Sequence, residues 1–377
     1  MPLYINNVKF DRISGPTSFT ILTSETNNIM LFGDKHLSSK NQCQGQDEGT
    51  SLSDPEFLNA LNLEPSIVMV ELYHFPLGRD LSLLDPTNQK FVIKNRRFLD
   101  LYYKNRLNEP MIKFVRSVSP CIFQESKEQP WFNQYCPYNN IEWMFVDLRQ
   151  HVNNIPADYP YIYEILINTI LLAIQNNRFS NLVDIIKTKA KLMKVNAIDL
   201  VMDLKNAIYS AMFEPGTVAI YLFDPKYVNH SYLAKELARL DVPRWQTMIT
   251  EYFEANLYLQ HDVELDIKAE MYIDNIFDNL RLELLGLKVE WKSSSNYVKL
   301  LTLDFGARLV DVYAIMRLFN RNSYARTKLI MGYLGQEHLR GLTYFLTNIT
   351  KTHQLRYMIE NLNDNRCLDF KDVNLEL

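Results

Sequence analysis

Four of the seven histidines follow closely on short, strongly apolar runs, each beside a carboxylate or an arginine. Asp34 and His36 come after residues 29–32, and Glu71 and His74 after residues 67–70. Asp147, Arg149 and His151 come after residues 143–146, and Glu337 and His338 after residues 329–334. An imidazole beside a carboxylate can take up and release a proton near neutral pH. Two imidazoles and a carboxylate also form a ligand set suited to Zn, Mn or Fe(II), with positions left open for water or substrate. On this reading His36, Glu71 and His338 are the centre of a site that holds one divalent metal ion or works as a general base. Asp34 and Glu337 are further catalytic candidates. Asp147, Arg149, His151, His74 and Arg317 are candidates for contacting the ligand, a small molecule or a peptide.

Each of these residues has a plainer role. A histidine after a strand is more often a hydrogen-bonded loop residue than a ligand, and this applies most strongly to His74 and His151. His36 and His338 differ because both close the same local pattern, Gly-x-x-His: Gly33-Asp34-Lys35-His36 and Gly335-Gln336-Glu337-His338.

Such residues meet only if the fold gathers them. Continuous apolar runs of four to six residues suit parallel strands covered on both faces. Ligands of open parallel sheets bind beyond the carboxyl ends of the strands. The chain is therefore expected to be α/β, with a mostly parallel sheet flanked by helices and with the ends of residues 29–32, 67–70, 143–146 and 329–334 side by side. Residues 3–10 and 17–23 read as a hairpin broken at Ser14-Gly15-Pro16. Residues 159–287 change to helical periodicity, as in Ile162, Ile165, Leu166 and Thr169, then Leu200, Leu204, Ile208 and Met212. Ser293-Ser294-Ser295 reads as the link to a helix over 304–319, a strand over 329–334 and a helix over 339–353, and the polar tail from Asn361 as a frayed end. Three parts follow: an N-terminal α/β part over 1–158 with the first motif, a helical insertion over 159–292, and a helix–strand–helix part over 293–377 completing the α/β core.

The two motifs after buried strands, with a glutamate closing the strand after the first, resemble the superfamily containing TraB and Tiki proteins, ChaN-like proteins and erythromycin esterases. Gly335-Gln336-Glu337-His338-Leu339-Arg340-Gly341 is similar to the Gly-x-x-His-Leu-x-Gly segment of TraB-like members, and Glu71 in Val70-Glu71-Leu72 to their acidic residue. Residues 32–36, 146–149 and 311–319 also resemble uncharacterised proteins of giant DNA viruses. The resemblance implies a metal-assisted or general-base hydrolase. The superfamily also includes a haem-binding protein, so fold and membership alone do not fix chemistry. A non-catalytic virion or host-interaction protein on the same scaffold is the alternative.

Composition narrows the partners. The chain has 377 residues, 47% hydrophobic and 22% charged, which is ordinary for a folded protein. A net charge of −4 gives no global reason to bind nucleic acid. The basic, aromatic stretch 96–106 reads equally as base-stacking or as an amphipathic helix. No stretch reaches the ~20 apolar residues of a membrane span, and the N-terminus carries no secretory leader. The four cysteines lack Cys-x-x-Cys spacing. Four free thiols and a cytoplasmic location, in the host or in a virion, are therefore expected. Asp304, Arg308 and Asp311 fall on one helical face as a salt-bridged stripe. Arg317, on another face, either meets an anionic ligand or caps the helix.

Overall fold

The computed structural model describes residues 2–34, 43, 49–73, 113–114, 117–118, 121, 136–147, 162–255, 257, 259–360, 366–370 and 375–377. Along the chain the first elements are β1 (Leu3–Ile5), β2 (Val8–Phe10), β3 (Arg12–Ser14), β4 (Ser18–Thr23), β5 (Asn28–Asp34), β6 (Thr50–Ser51), α1 (Pro55–Leu61), β7 (Ser66–Tyr73) and β8 (Ile141–Asp147). Helices follow: α2 (Tyr163–Asn176), α3 (Leu182–Met193), α4 (Ala197–Phe213), α5 (Val218–Tyr221), α6 (Tyr232–Leu237), α7 (Val242–Glu254), α8 (Val263–Leu284) and α9 (Asn296–Phe319). The chain closes with β9 (Leu329–Gly335), α10 (Gln336–Tyr344), β10 (Gln354–Glu360), β11 (Cys367–Asp369) and β12 (Leu375–Glu376). Two compact units result, one from residues 1–146 and 322–377, the other from residues 147–321.

The first unit is α/β. Its main sheet has six strands in the order β10-β4-β5-β9-β7-β8. β5 and β7 both pair in parallel with β9, in a register that aligns Phe32, Tyr333 and Val70. Central parallel strands are covered on both sides, and all seven residues of β9 are buried. On one face Phe19, Ile21, Met30, Phe32, Val68, Val70, Met331 and Tyr333 join Phe10 and Phe57 in the core. On the other face α10 packs close to the sheet at Gly33, where an added Cβ would fall 2.9 Å from a Leu339 methyl and 2.2 Å from Ser18 Oγ. The sheet is not parallel throughout, for β4 runs antiparallel to both β5 and β10.

Residues 3–10 and 17–23 do not form one hairpin. Asn6 and Asn7, at φ 47° and 67°, make a two-residue turn that pairs β1 with β2, and positive φ at both central positions is what a type I′ hairpin turn needs. Gly15, at φ 116°, then carries the chain from β3, which pairs with β11 and β6, into β4 of the main sheet.

The described residues of the tail, 366–370 and 375–377, are not a frayed end. β11 pairs with β3, β12 with β1, and Arg366 is fully buried. Nor does one helix cover 339–353: α10 begins at Gln336, at the end of β9, and a π-helical turn over Phe345–Ile349 ends the helical run. The expectation of four free thiols is also corrected. Cys43 is bonded to Cys367 and Cys121 to Cys136. Spacing could not reveal this, because the partners of the first pair are 324 residues apart and meet only through the sheet.

The second unit is helical, and it includes α9. The division therefore falls after Arg321 and not before Ser293. The serines at 293–295 are not a loose link: Ser295 caps α9 by accepting from Val298 N, and Ser294 Oγ donates to Ile174 O at 2.7 Å. α9 packs against α2, α4 and α6. Its stripe carries the expected ion pair, Arg308 Nε to Asp304 Oδ2 at 2.9 Å, but the stripe is internal. Arg308 donates to Tyr252 O and Ala255 O, each at 2.6 Å, closing the C-terminus of α7, and Tyr252 Oη donates to Asp311 at 2.6 Å. Among the described residues, no helix is long and apolar enough to cross a membrane.

Candidate functional site

β9, the strand between β5 and β7, ends at Gly335, which is also the N-cap of α10. His338 is thus held in the first turn of that helix, directly beyond the carboxyl end of the sheet. Glu71 follows Val70 on the neighbouring strand. Val70 faces the core, so alternation turns Glu71 to the opposite face, the one α10 covers. There Glu71 Oε2 accepts a hydrogen bond from Gly335 N, and Oε1 lies 3.3 Å from His338 Nε2. The carboxylate sits at the positive end of the helix and beside an imidazole. With Nε2–H directed at Glu71, Nδ1 becomes the basic nitrogen, and the carboxylate fixes that tautomer as the orienting acid of a catalytic triad does. His338 is 4% exposed and Glu71 5%.

Asp34 belongs to a different cluster. It is two residues beyond Phe32 and shares that residue's core face, away from Glu71. Its Oδ1 accepts from Arg366 Nη1 at 2.6 Å and its Oδ2 from Tyr333 Oη at 3.1 Å. Burial, with the Asp34 charge beside it, raises the Tyr333 hydroxyl well above the usual phenol range. Arg366 also donates to Gly15 O at 2.9 Å. The sequence reading missed Arg366, whose one local signal was its place beside Cys367 in a polar tail.

The remaining candidates divide further. Glu337 points outward, its side chain 59% exposed, and pairs with Arg340 at 3.6 Å. Asp147 is buried at the end of β8. Arg317 lies on α9 of the helical unit, its guanidinium 5.8 Å from the centre of the Tyr313 ring. His36, His74, Arg149 and His151 lie outside the described residues, as does the stretch 96–106. Among the described residues, no three His, Cys, Asp or Glu side chains gather so as to hold a metal ion. Gln336, unremarked in the sequence, is the buried first residue of α10 and bonds Glu360 through Nε2, while Thr17 Oγ1 donates to its Oε1 at 3.4 Å.

Comparison with known protein families, with curated proteins and with solved structures gives no match to the chain.

Proposed function

We propose that Glu71 and His338 are the proton-handling pair of a hydrolase acting on a small-molecule or peptide substrate. The observation that supports this reading is the 3.3 Å approach of His338 Nε2 to Glu71 Oε1 beyond the carboxyl ends of parallel strands. His338 Nδ1 takes the proton of an attacking water, and Glu71 stabilises the imidazolium that forms. The pair also fits one divalent ion, Zn, Mn or Fe. A nitrogen and an oxygen 3.3 Å apart match two ligands each ~2.0–2.2 Å from a common centre. Glu71 and His338 would hold the ion, with His36 as third donor by sequence, and the ion would lower the pKa of a bound water.

A second reading is favoured by burial. Both side chains are nearly closed to solvent, and Glu71 caps α10. That is what a structural pair in a non-catalytic protein requires, such as a virion or host-interaction protein. The two disulfides support an oxidising setting over a reducing cytoplasm for either reading.

The test is hydrolysis of p-nitrophenyl esters and fluorogenic peptides by the purified chain, with and without added Zn, Mn or Fe, alongside elemental analysis. Turnover or bound metal that disappears in both Glu71→Gln and His338→Asn, with circular dichroism unchanged, is the expected result. A folded wild-type chain with neither turnover nor metal leaves the non-catalytic reading in place.

A further inference from the structure

Adjacent side chains anchor the C-terminal tail. Arg366 Nη1 donates to Asp34 Oδ1 at 2.6 Å, and the next residue, Cys367, is bonded to Cys43. The backbone adds little, because β11 has three residues and β12 two. Gly15 N donates to Arg366 O at 2.8 Å and Phe370 N to Asp11 O at 2.9 Å, while Leu368 and Phe370 enter the core. The Arg12–Asp369 pair, at 2.8 Å, is part-exposed and screened by solvent. Short terminal strands fray unless tied down. A buried ion pair gives little net hold, since its attraction is offset by the desolvation of both charges. The covalent bond, which closes a separation of 324 residues, therefore decides whether the tail stays in place. The two disulfides also differ in access. Cys367 is part-exposed, whereas Cys121 and Cys136 are 7% and 4% exposed. Thiol–disulfide exchange needs a sulfur that an incoming thiolate can reach.

We propose that the Cys43–Cys367 disulfide is a redox site opened by a dithiol, and that its opening releases the tail from Arg366 onward. A thiolate of the dithiol attacks Cys367 Sγ, the bond to Cys43 Sγ breaks, and Cys43 leaves as a thiolate that takes a proton from solvent. The second thiol of the reductant then gives up its proton and attacks the sulfur of the first. Cys367 leaves in turn as a thiolate and is protonated, and the reductant departs as a disulfide, having passed an electron pair to the protein. A disulfide oxidant closes the bond by the same steps in reverse. With the bond open, the entropy of ordering the tail is no longer reduced by the cross-link, and it works against a three-residue ladder and two core side chains. On release Arg366 exchanges Asp34 for water. The lock is closed in an oxidising setting and opens on transfer to a reducing one. The inference is independent of any activity at Glu71 and His338.

Stepwise reduction of the full chain with dithiothreitol reads the lock. At each step free thiols are blocked with iodoacetamide and located by peptide mass spectrometry, and a parallel sample is treated with carboxypeptidase Y. Cys43 and Cys367 are expected to be alkylated together, at a dithiothreitol concentration about tenfold below that needed for Cys121 and Cys136. Loss of C-terminal residues should accelerate at the same step by about tenfold or more. Oxidised glutathione should restore resistance, and circular dichroism at that step should show the rest of the chain folded. Cys121→Ser combined with Cys136→Ser keeps the response, and Cys43→Ser loses its C-terminal residues without reductant. Where a serine variant fails to fold, the wild-type titration alone decides. Simultaneous opening of both bonds overturns the proposal. So does a tail that resists carboxypeptidase equally with the Cys43–Cys367 bond open and closed, or a whole fold that is lost when that bond opens.

Discussion

Arg366 and Asp34 are 332 residues apart in the chain, and Arg366 Nη1 lies 2.6 Å from Asp34 Oδ1 with both side chains sealed from solvent. The pair joins the last strands of the protein to the end of β5, and Tyr333 Oη completes the carboxylate's shell from β9. It is a structural clasp on the core face of the sheet, on the opposite side from Glu71 and His338.

Removing one partner of such a pair leaves a buried charge without compensation. Arg366→Met and Asp34→Asn are each expected to cost about 3–5 kcal/mol in urea unfolding. Arg366→Met combined with Asp34→Leu is expected to cost clearly less than the sum of the single changes, because no charge is then stranded. Single variants within 1 kcal/mol of wild type would show that the pair is solvated.

The disulfides make a second expectation. Alkylation before reduction should modify none of Cys43, Cys121, Cys136 or Cys367, and reduction should lower the thermal midpoint. Loss of the Cys43–Cys367 bond is expected to cost about 2–5 kcal/mol, and more than loss of Cys121–Cys136, because it closes a far longer loop in the unfolded chain, 324 residues against 15. Full alkylation of the native protein would restore the reading of free thiols.

Some of this was legible in the sequence. Residues 29–32, 67–70 and 329–334 are apolar without alternation because β5, β7 and β9 are covered on both faces, and burial writes that pattern directly into residue type. Gly335-x-x-His338 could be read as a strand turning into a helix, which it is. The face on which each acidic residue falls was not legible. Phe32 and Val70 are aligned across β9, yet Gly33 intervenes before Asp34 whereas Glu71 follows Val70 at once. One residue of offset reverses the face, so two carboxylates that look equivalent in the sequence lie on opposite sides of the sheet. The tail was illegible for another reason. β11 and β12 are strands of three and two residues whose pairing depends on β3 and β1 at the far end of the chain, so they show no periodicity of their own.

His353 gives a pH dependence. Its Nε2 lies 2.8 Å from Asn27 Oδ1 and its Nδ1 2.9 Å from Thr352 Oγ1, two neutral partners. Burial without a counter-charge pushes the imidazole down from 6.5 to about 4. Between these values the unfolded chain binds the proton and the folded chain does not, so stability falls as pH drops from about 6.5 toward 4. Urea midpoints measured across that interval should decline, and His353→Gln should flatten the decline. An equal slope in the variant would assign the effect to other groups.

The pair at Glu71 and His338 bears on stability as well as on activity. In the sequence His338 is a candidate site residue. In the structure it is buried in the first turn of α10, with Glu71 Oε1 3.3 Å from its Nε2. His338→Ala removes that partner from a buried carboxylate, and Glu71→Ala removes in addition the acceptor of Gly335 N. A buried group left unsatisfied costs about 1–3 kcal/mol, so both substitutions should lower the unfolding free energy by at least that amount, with Glu71→Ala the larger. Glu71→Gln retains an oxygen for Gly335 N and should recover part of the loss. Because the residues touch, the double variant should cost less than the sum of the singles, with a coupling of about 0.5–3 kcal/mol. Additive losses would mean that the imidazole and carboxylate do not interact in solution, and the orientation of His338 by Glu71, on which the hydrolase reading depends, would fall with them.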